Sequence, residues 1–439
     1  MSQASQPGAT AVAPAPGAPT AAAGPPAVVG APAGTPAPRS RIRDTPQRLR
    51  LLTVEVIVAG LVVGVIGALT FSYLAYSLNR AEADAAQLIR VQKIQTNLLS
   101  ADATATNAFL VGGLEPPAQR AAYDKAMLAA STLIAEAAEA QPADTEALSV
   151  LNQQLVSYAA SIEQARANNR QGLPIGAQYL RVASTQLRGT AIPVLDNLVQ
   201  TNADRAADEM DVRIGSLAVA FALLGLAAVI LIQVWVARRF RRRINVGLLL
   251  SSVVLLLTVV IGLIGVVQLN STVKAIKDGS FTSLNAAAAA RIDANNAKSN
   301  ESLTLIARGS GQAFETAWAA AADSVSKNLS SLSGQEDLQT KWQAYTDVHS
   351  AIRKLDDGGS WDAAVARATG TGDDSSNTTF GSFDTGLTAY LDQVSAATST
   401  SLSDRQPGLV IGSILIFLAG LAAALLGRWG LAARLKEYR

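Results

Sequence analysis

The sequence predicts an all-α membrane protein with four transmembrane helices. Two extracytoplasmic antiparallel four-helix bundles and a disordered, Pro/Ala-rich N-terminal tail complete it. Three observations carry this prediction. Four apolar runs, residues 51–76, 214–237, 246–269 and 408–427, hold a single charge between them, Glu55. Each is about the 20 residues a helix needs to cross a bilayer, or longer. Between the first and second runs, and between the third and fourth, apolar residues recur in steps of three and four, broken at Gly- and Pro-rich turns. The charges are also unevenly divided. The segments 39–50, 237–243 and 428–439 hold fourteen basic residues and two acids, whereas 77–213 holds 11 basic and 15 acidic and 270–407 holds 11 and 16. The positive-inside bias therefore puts both termini and the turn 238–245 in the cytoplasm of a plasma-membrane protein, and both long segments outside.

Residues 1–38 carry no charge and nine prolines, so they cannot bury a core and read as a solvated tail. The first run follows as an uncleaved signal anchor. Glu55 lies near its inner end, within reach of headgroups, and Gly60 and Gly64 form a GxxxG, a weak sign of helix contact. The segment 77–213 predicts helices over about 78–111, to 140, to 170, and from 177 onward, with turns at 112–117, 141–145 and 171–176. The first and fourth helices are expected to continue into the membrane, with Pro193 kinking the fourth. This connectivity places the turns at 112–117 and 170–176 together at the distal tip and the turn at 141–145 toward the bilayer. Residues 270–407 predict a second, less regular bundle with helices over about 271–307, 312–330, 335–354, 361–368 and 377–404. Pro407 is expected to interrupt the chain at the membrane surface.

The residues present exclude several classes of function. The chain has no Cys and one His, His349, which rules out thiolate chemistry, disulfides and His-rich metal sites. No phosphate-binding loop, kinase signature or zinc motif occurs. Asp356-Asp357 and Asp373-Asp374 lack calcium-loop spacing and read as solvated loop acids. His349 reads as a packing histidine, with a pH sensor as the alternative. The apolar runs offer no charged path for transport. No enzyme activity, cofactor, metal or nucleic-acid partner is therefore expected. The candidate contact residues are polar groups at the distal tip, Asn168, Asn169, Arg170, Gln171 and Arg308, whose plainer role is helix capping. On the cytoplasmic side they are Arg238, Arg239, Arg241, Arg242 and Arg243, which suit topology, anionic lipid or an acidic partner.

A membrane-helix pair bracketing an outer four-helix bundle resembles the sensor half of bacterial chemoreceptors and histidine kinases. Three segments, Ala101–Gly113 (ADATATNAFLVGG), Asn168–Arg181 (NNRQGLPIGAQYLR) and Ser302–Gly311 (SLTLIARGSG), resemble the actinobacterial GlnX-type tandem sensors. That resemblance implies a non-enzymatic relay between an extracytoplasmic amino-acid-binding lipoprotein and a cytoplasmic Ser/Thr protein kinase, protein kinase G, and a homodimer in the bilayer. The rival reading is a passive envelope scaffold.

Overall fold

Thirteen α-helices and no strand make up the described part of this computed structural model, which comprises residues 45–112, 114–211, 213–240 and 245–436. The N-terminal tail and Arg241, Arg242 and Arg243 lie outside the described residues. The described residues from Leu49 onward form one compact unit.

The first helix, α1 (Thr45–Val111), is 67 residues long and carries the first apolar run and the first bundle helix without a break. Helices α2 (Pro117–Ala140) and α3 (Thr145–Arg170) follow. The bundle's returning segment is α4 (Ile175–Gln186) and α5 (Ile192–Glu209), joined by a π-turn over Leu187–Ala191. There the Ile192 N–H reaches back five residues to the Leu187 carbonyl. Pro193, which has no N–H to donate, sits just beyond. So the feature that Pro193 marks is a π-turn. The expectation that this helix runs unbroken into the membrane needs correction. It stops at Glu209, and α6 (Ile214–Phe240) begins afresh after a turn at the membrane edge.

Helix α7 (Val246–Ala275) does run on, through a second π-turn over Ile276–Phe281, into α8 (Thr282–Ile306). Then come α9 (Gln312–Ser330), α10 (Glu336–Asp357), the short α11 (Trp361–Thr369) and α12 (Ser376–Ser403). A turn at Asp404-Arg405 precedes α13 (Gln406–Leu435), with Pro407 in its first turn, as the Gln-Pro-Gly signal predicts.

The four apolar helices pack on one another through Val56, Val63, Leu226, Val229, Leu255 and Ala423. Their outward faces expose Leu, Val and Ile freely, as a lipid-facing surface does. Tyr73 and Tyr76 at one end and Trp429 at the other are exposed where an interfacial aromatic belt belongs. The tightest crossing joins the first and last spans. A Cβ on Gly420 would lie 2.4 Å from the Gly64 Cα, and one on Gly60 would lie 2.8 Å from the Ala424 nitrogen. The Gly60/Gly64 pair is thus a contact surface, and its partner is α13. Ser251 of α7 donates to the Ala423 carbonyl at 2.8 Å, fastening a third span to the same helix.

The two bundles are not independent. One apolar cluster at their base unites Leu74, Leu78 and Leu88 of α1 with Met210, Leu269, Ile276, Phe281 and Leu402. At the far end Leu110 of α1 sits among Leu305, Val348, Ile352, Ala364 and Ala368 of the second bundle. Between these two clusters α1 and α8 meet through polar contacts, including Gln92 Nε2 to Asn285 Oδ1 at 3.1 Å. The turn before α3 lies at the membrane-proximal end. Its Asp144 is buried and accepts from Gln87, Asn202 and Arg205.

Candidate functional site

A cavity of about 250 Å³ opens at the distal end of the first bundle. Its floor is small or apolar: Ala105, Ala108 and Phe109 of α1, Ile162 and Ala165 of α3, and Leu180 of α4. Its rim is charged. Arg166 grips Glu115 with two nitrogens, Nε to Oε2 at 2.9 Å and Nη2 to Oε1 at 3.0 Å, and reaches Glu163 at 2.8 Å with the third. Arg120 bridges Glu163 at 3.1 Å and Asp124 at 3.0 Å. The Arg166 guanidinium also lies 4.1 Å from the Tyr123 ring centroid. Burial pushes the Tyr123 hydroxyl up to about 12, and that hydroxyl has no protein partner. A rim of paired charges over an apolar floor is suited to a small zwitterion, which can exchange one ion pair at each end for those of the rim.

The tip residues expected from the sequence divide between two roles. Asn169 and Arg170 line this cavity. Asn168 does not: its side-chain amide turns back to the Gln164 carbonyl at 2.8 Å. Gln171 is exposed in the cap. The cap is a full Schellman turn, with Leu173 N–H on the Asn168 carbonyl and Gly172 N–H on that of Asn169. Gly172 has φ +67, which an L side chain adopts only with strain. Capping and cavity lining therefore coexist in one segment. Arg308 takes no part in the cavity. It has φ 42 and lies 3.8 Å from the Trp361 ring centroid, as a structural clasp of the second bundle's tip. Arg238 and Arg239 occupy the last turn of α6.

Sequence reasoning missed Glu115, Arg120, Glu163 and Arg166. The Glu163/Arg166 spacing on one helix face was a visible signal; Glu115 lay hidden in a turn read only as a Gly/Pro break.

One turn below the cavity floor, Asp102 is fully buried. Its carboxylate accepts from Tyr158 at 3.1 Å, Ser184 and, across the bundle seam, Ser299 at 2.7 Å, and pairs with Arg188 at 2.8 Å. Arg188 is part of the π-turn, and π-turns recur at sites that carry function. This single carboxylate ties α1 to α3, α4 and α8 at once.

The second bundle has its own buried polar cluster. Glu301 accepts from Lys298 at 2.8 Å and from Ser376, and faces His349 Nδ1 at 3.0 Å. The other His349 nitrogen lies 3.2 Å from Glu315, and Trp318 stacks on the imidazole at 3.6 Å. Burial opposes charge on Glu301, but Lys298 and His349 outweigh it and bring the carboxyl down to about 2. Burial likewise opposes the imidazolium, yet the two flanking carboxylates raise His349 above its ordinary value. Packing is thus only part of its role: it is an ion-paired histidine between two acids. Asp356 and Asp357 both pair with Arg353 at 2.6 Å.

Four spans long and apolar enough to cross a bilayer, with helical bundles beyond them, mark a multi-pass membrane protein. Residues 77–211 match the family of actinobacterial sensor domains, a segment that takes in the cavity, Asp102 and the π-turn. The match supports a role in sensing and signalling. No curated protein and no solved structure matches the chain.

Proposed function

We propose that the chain is a non-enzymatic transmembrane signal relay. A small solute, free or carried by a binding lipoprotein, meets the distal end of the bundles. The response travels along α1 to the cytoplasmic basic segments, where a Ser/Thr protein kinase docks. The observation that carries this reading is the continuity of α1: one unbroken helix holds both part of the cavity floor and the first span. A displacement at one end of such a rod reaches the other. The ligand must favour one of two packings for any signal to pass.

The seam Ala101, Ala105 and Ala108 interlocks shallowly, which suits small shifts. Asp102 restricts them: α1 cannot slide without breaking its bonds to α3 and α4 or carrying α8 along. The relay is therefore a joint movement of both bundles. The positive-inside bias places Arg238, Arg239 and the arginines at 241–243 inside as the docking segment. Homodimer formation in the bilayer accompanies this reading.

The test uses the natural absence of cysteine. Ser77 donates to Glu209 at 2.9 Å across α1 and α5 at the membrane edge. Cysteines at these two positions should crosslink at a rate that changes when amino acids or the loaded lipoprotein are added. An unchanged rate, with neither lipoprotein nor kinase enriched in pull-downs, would leave only a passive scaffold.

A further inference from the structure

We propose that the cleft between the two bundles is a binding site for a small hydroxy- or amino-carboxylate. A cavity of about 360 Å³ lies there, lined by Ser100, Thr104 and Asn107 of α1, Gln119 and Ala122 of α2, Asn295 and Lys298 of α8, and Asn377 and Phe380 of α12. It is distinct from the cavity at the tip, and both bundles build it.

Its polar groups are pre-set. Lys298 is 4% exposed, and its ammonium donates to Glu301 and Ser376, which leaves a third N–H for a ligand oxygen. The first turn of α12 begins beside it at Ser376 and Asn377, where helix N–H groups have no intrahelical acceptor. Both features favour an anionic oxygen at this end of the cleft.

A second polar group of the lining, Gln119, calls for a donor. Asn107 Nδ2 faces the Ala368 carbonyl at 3.3 Å, so its Oδ1 must be the acceptor for Gln119 Nε2 at 2.9 Å and Asn377 Nδ2 at 3.0 Å. That network fixes the Gln119 amide, and its Oε1 is left buried with no protein partner. A hydroxyl or ammonium on the ligand supplies the missing donor. A carboxylate toward Lys298 and a donor toward Gln119 together define the class. Half-buried Phe380 gives the carbon skeleton an apolar flank. Binding stands on this geometry; its consequence, drawing the bundles together across the α1–α8 seam, rests on the sensor reading.

Titration calorimetry on the full chain in nanodiscs tests the site, with L-malate, L-serine and propionate as probes. Propionate has the acid but no donor. L-malate or L-serine should bind at least tenfold tighter than propionate. Gln119→Leu should erase that preference, and Ala122→Trp, at an exposed lining position, should block binding while the melting temperature holds. Absence of binding by L-malate and L-serine overturns the proposal, as does binding indifferent to both variants. Binding lost in Arg166→Ala and untouched by the cleft variants moves the site to the tip, so the cleft inference fails and the sensor reading stands. Cleft binding confirmed with an unchanged Ser77/Glu209 crosslinking rate does the reverse.

Discussion

Replacing Asp102 with alanine should weaken both bundles, although the residue belongs to one. The carboxylate is 0% exposed and serves four partners on three other parts of the chain. Its loss leaves the hydroxyls of Tyr158, Ser184 and Ser299 without an acceptor in the interior. Each unsatisfied buried group costs about 1–3 kcal/mol. Breaking a buried ion pair costs about 3–5 kcal/mol, but the Arg188 side chain is 25% exposed and regains water, so the pair falls below that range. Hydroxyls can also rotate to nearby carbonyls, which removes part of their cost. The net expectation is about 3 kcal/mol. Hydrogen exchange on the full chain in nanodiscs reads it locally. Asp102→Ala should accelerate amides around Tyr158 and Ser184 in the first bundle and around Ser299 in the second, by about a hundredfold for 3 kcal/mol. Asp102→Asn, which keeps the shape and one acceptor oxygen, should do less. Acceleration confined to the first bundle, or less than tenfold anywhere, would refute the argument that this group joins the two.

Other outcomes follow from the same geometry. Gly420→Leu must separate the first and last spans, because even a Cβ would lie 2.4 Å from the Gly64 Cα; a loss of about 1–3 kcal/mol or more in detergent melts is expected, and an unchanged melt would sink the crossing. Arg166→Ala leaves Glu115 unpaired and Glu163 with Arg120 alone, and should cost about 1–3 kcal/mol and open the turn at 114–117 to proteolysis; equal cleavage in both proteins would count against the pairing. The pH dependence of the second bundle has two limbs. His349 is raised, so its contribution is complete below the usual histidine value of about 6.5 and is lost as pH rises through its folded value; Trp318 emission should change over that upper window and stay flat in His349→Gln. Glu301 is lowered to about 2, so its contribution is complete above the usual glutamate value of about 4.3 and fades as pH falls toward 2; a Glu301→Gln variant with unchanged acid stability would contradict it.

Much of the architecture was legible because it rests on local chemistry. Long uncharged runs, the sign of the flanking charges, and Gly/Pro punctuation are visible in any short window. The Schellman turn at Gly172 and the break before Pro407 could be read from a few residues each. Of the cavity's lining, the sequence singled out Asn169 and Arg170 and passed over Arg166 and Glu115. A buried ion pair and a solvated one have the same letters, and burial depends on which faces meet. For the same reason nothing in the sequence singles out Gln87, Asp102 and Glu301, which the fold buries.

By itself, then, the sequence determined the helical content, the four apolar spans and the order of turns, because helix propensity, hydropathy and capping act over a few residues. Only the tertiary structure decided that the bundles share a seam, that Gly64 meets Gly420, and that Asp102 receives Ser299 from 197 residues away. A heptad stripe shows that a helix has a buried face; it carries no address for the helix that covers it. That choice belongs to shape and charge complementarity across the whole fold, where two bundles that look separable on paper become one body.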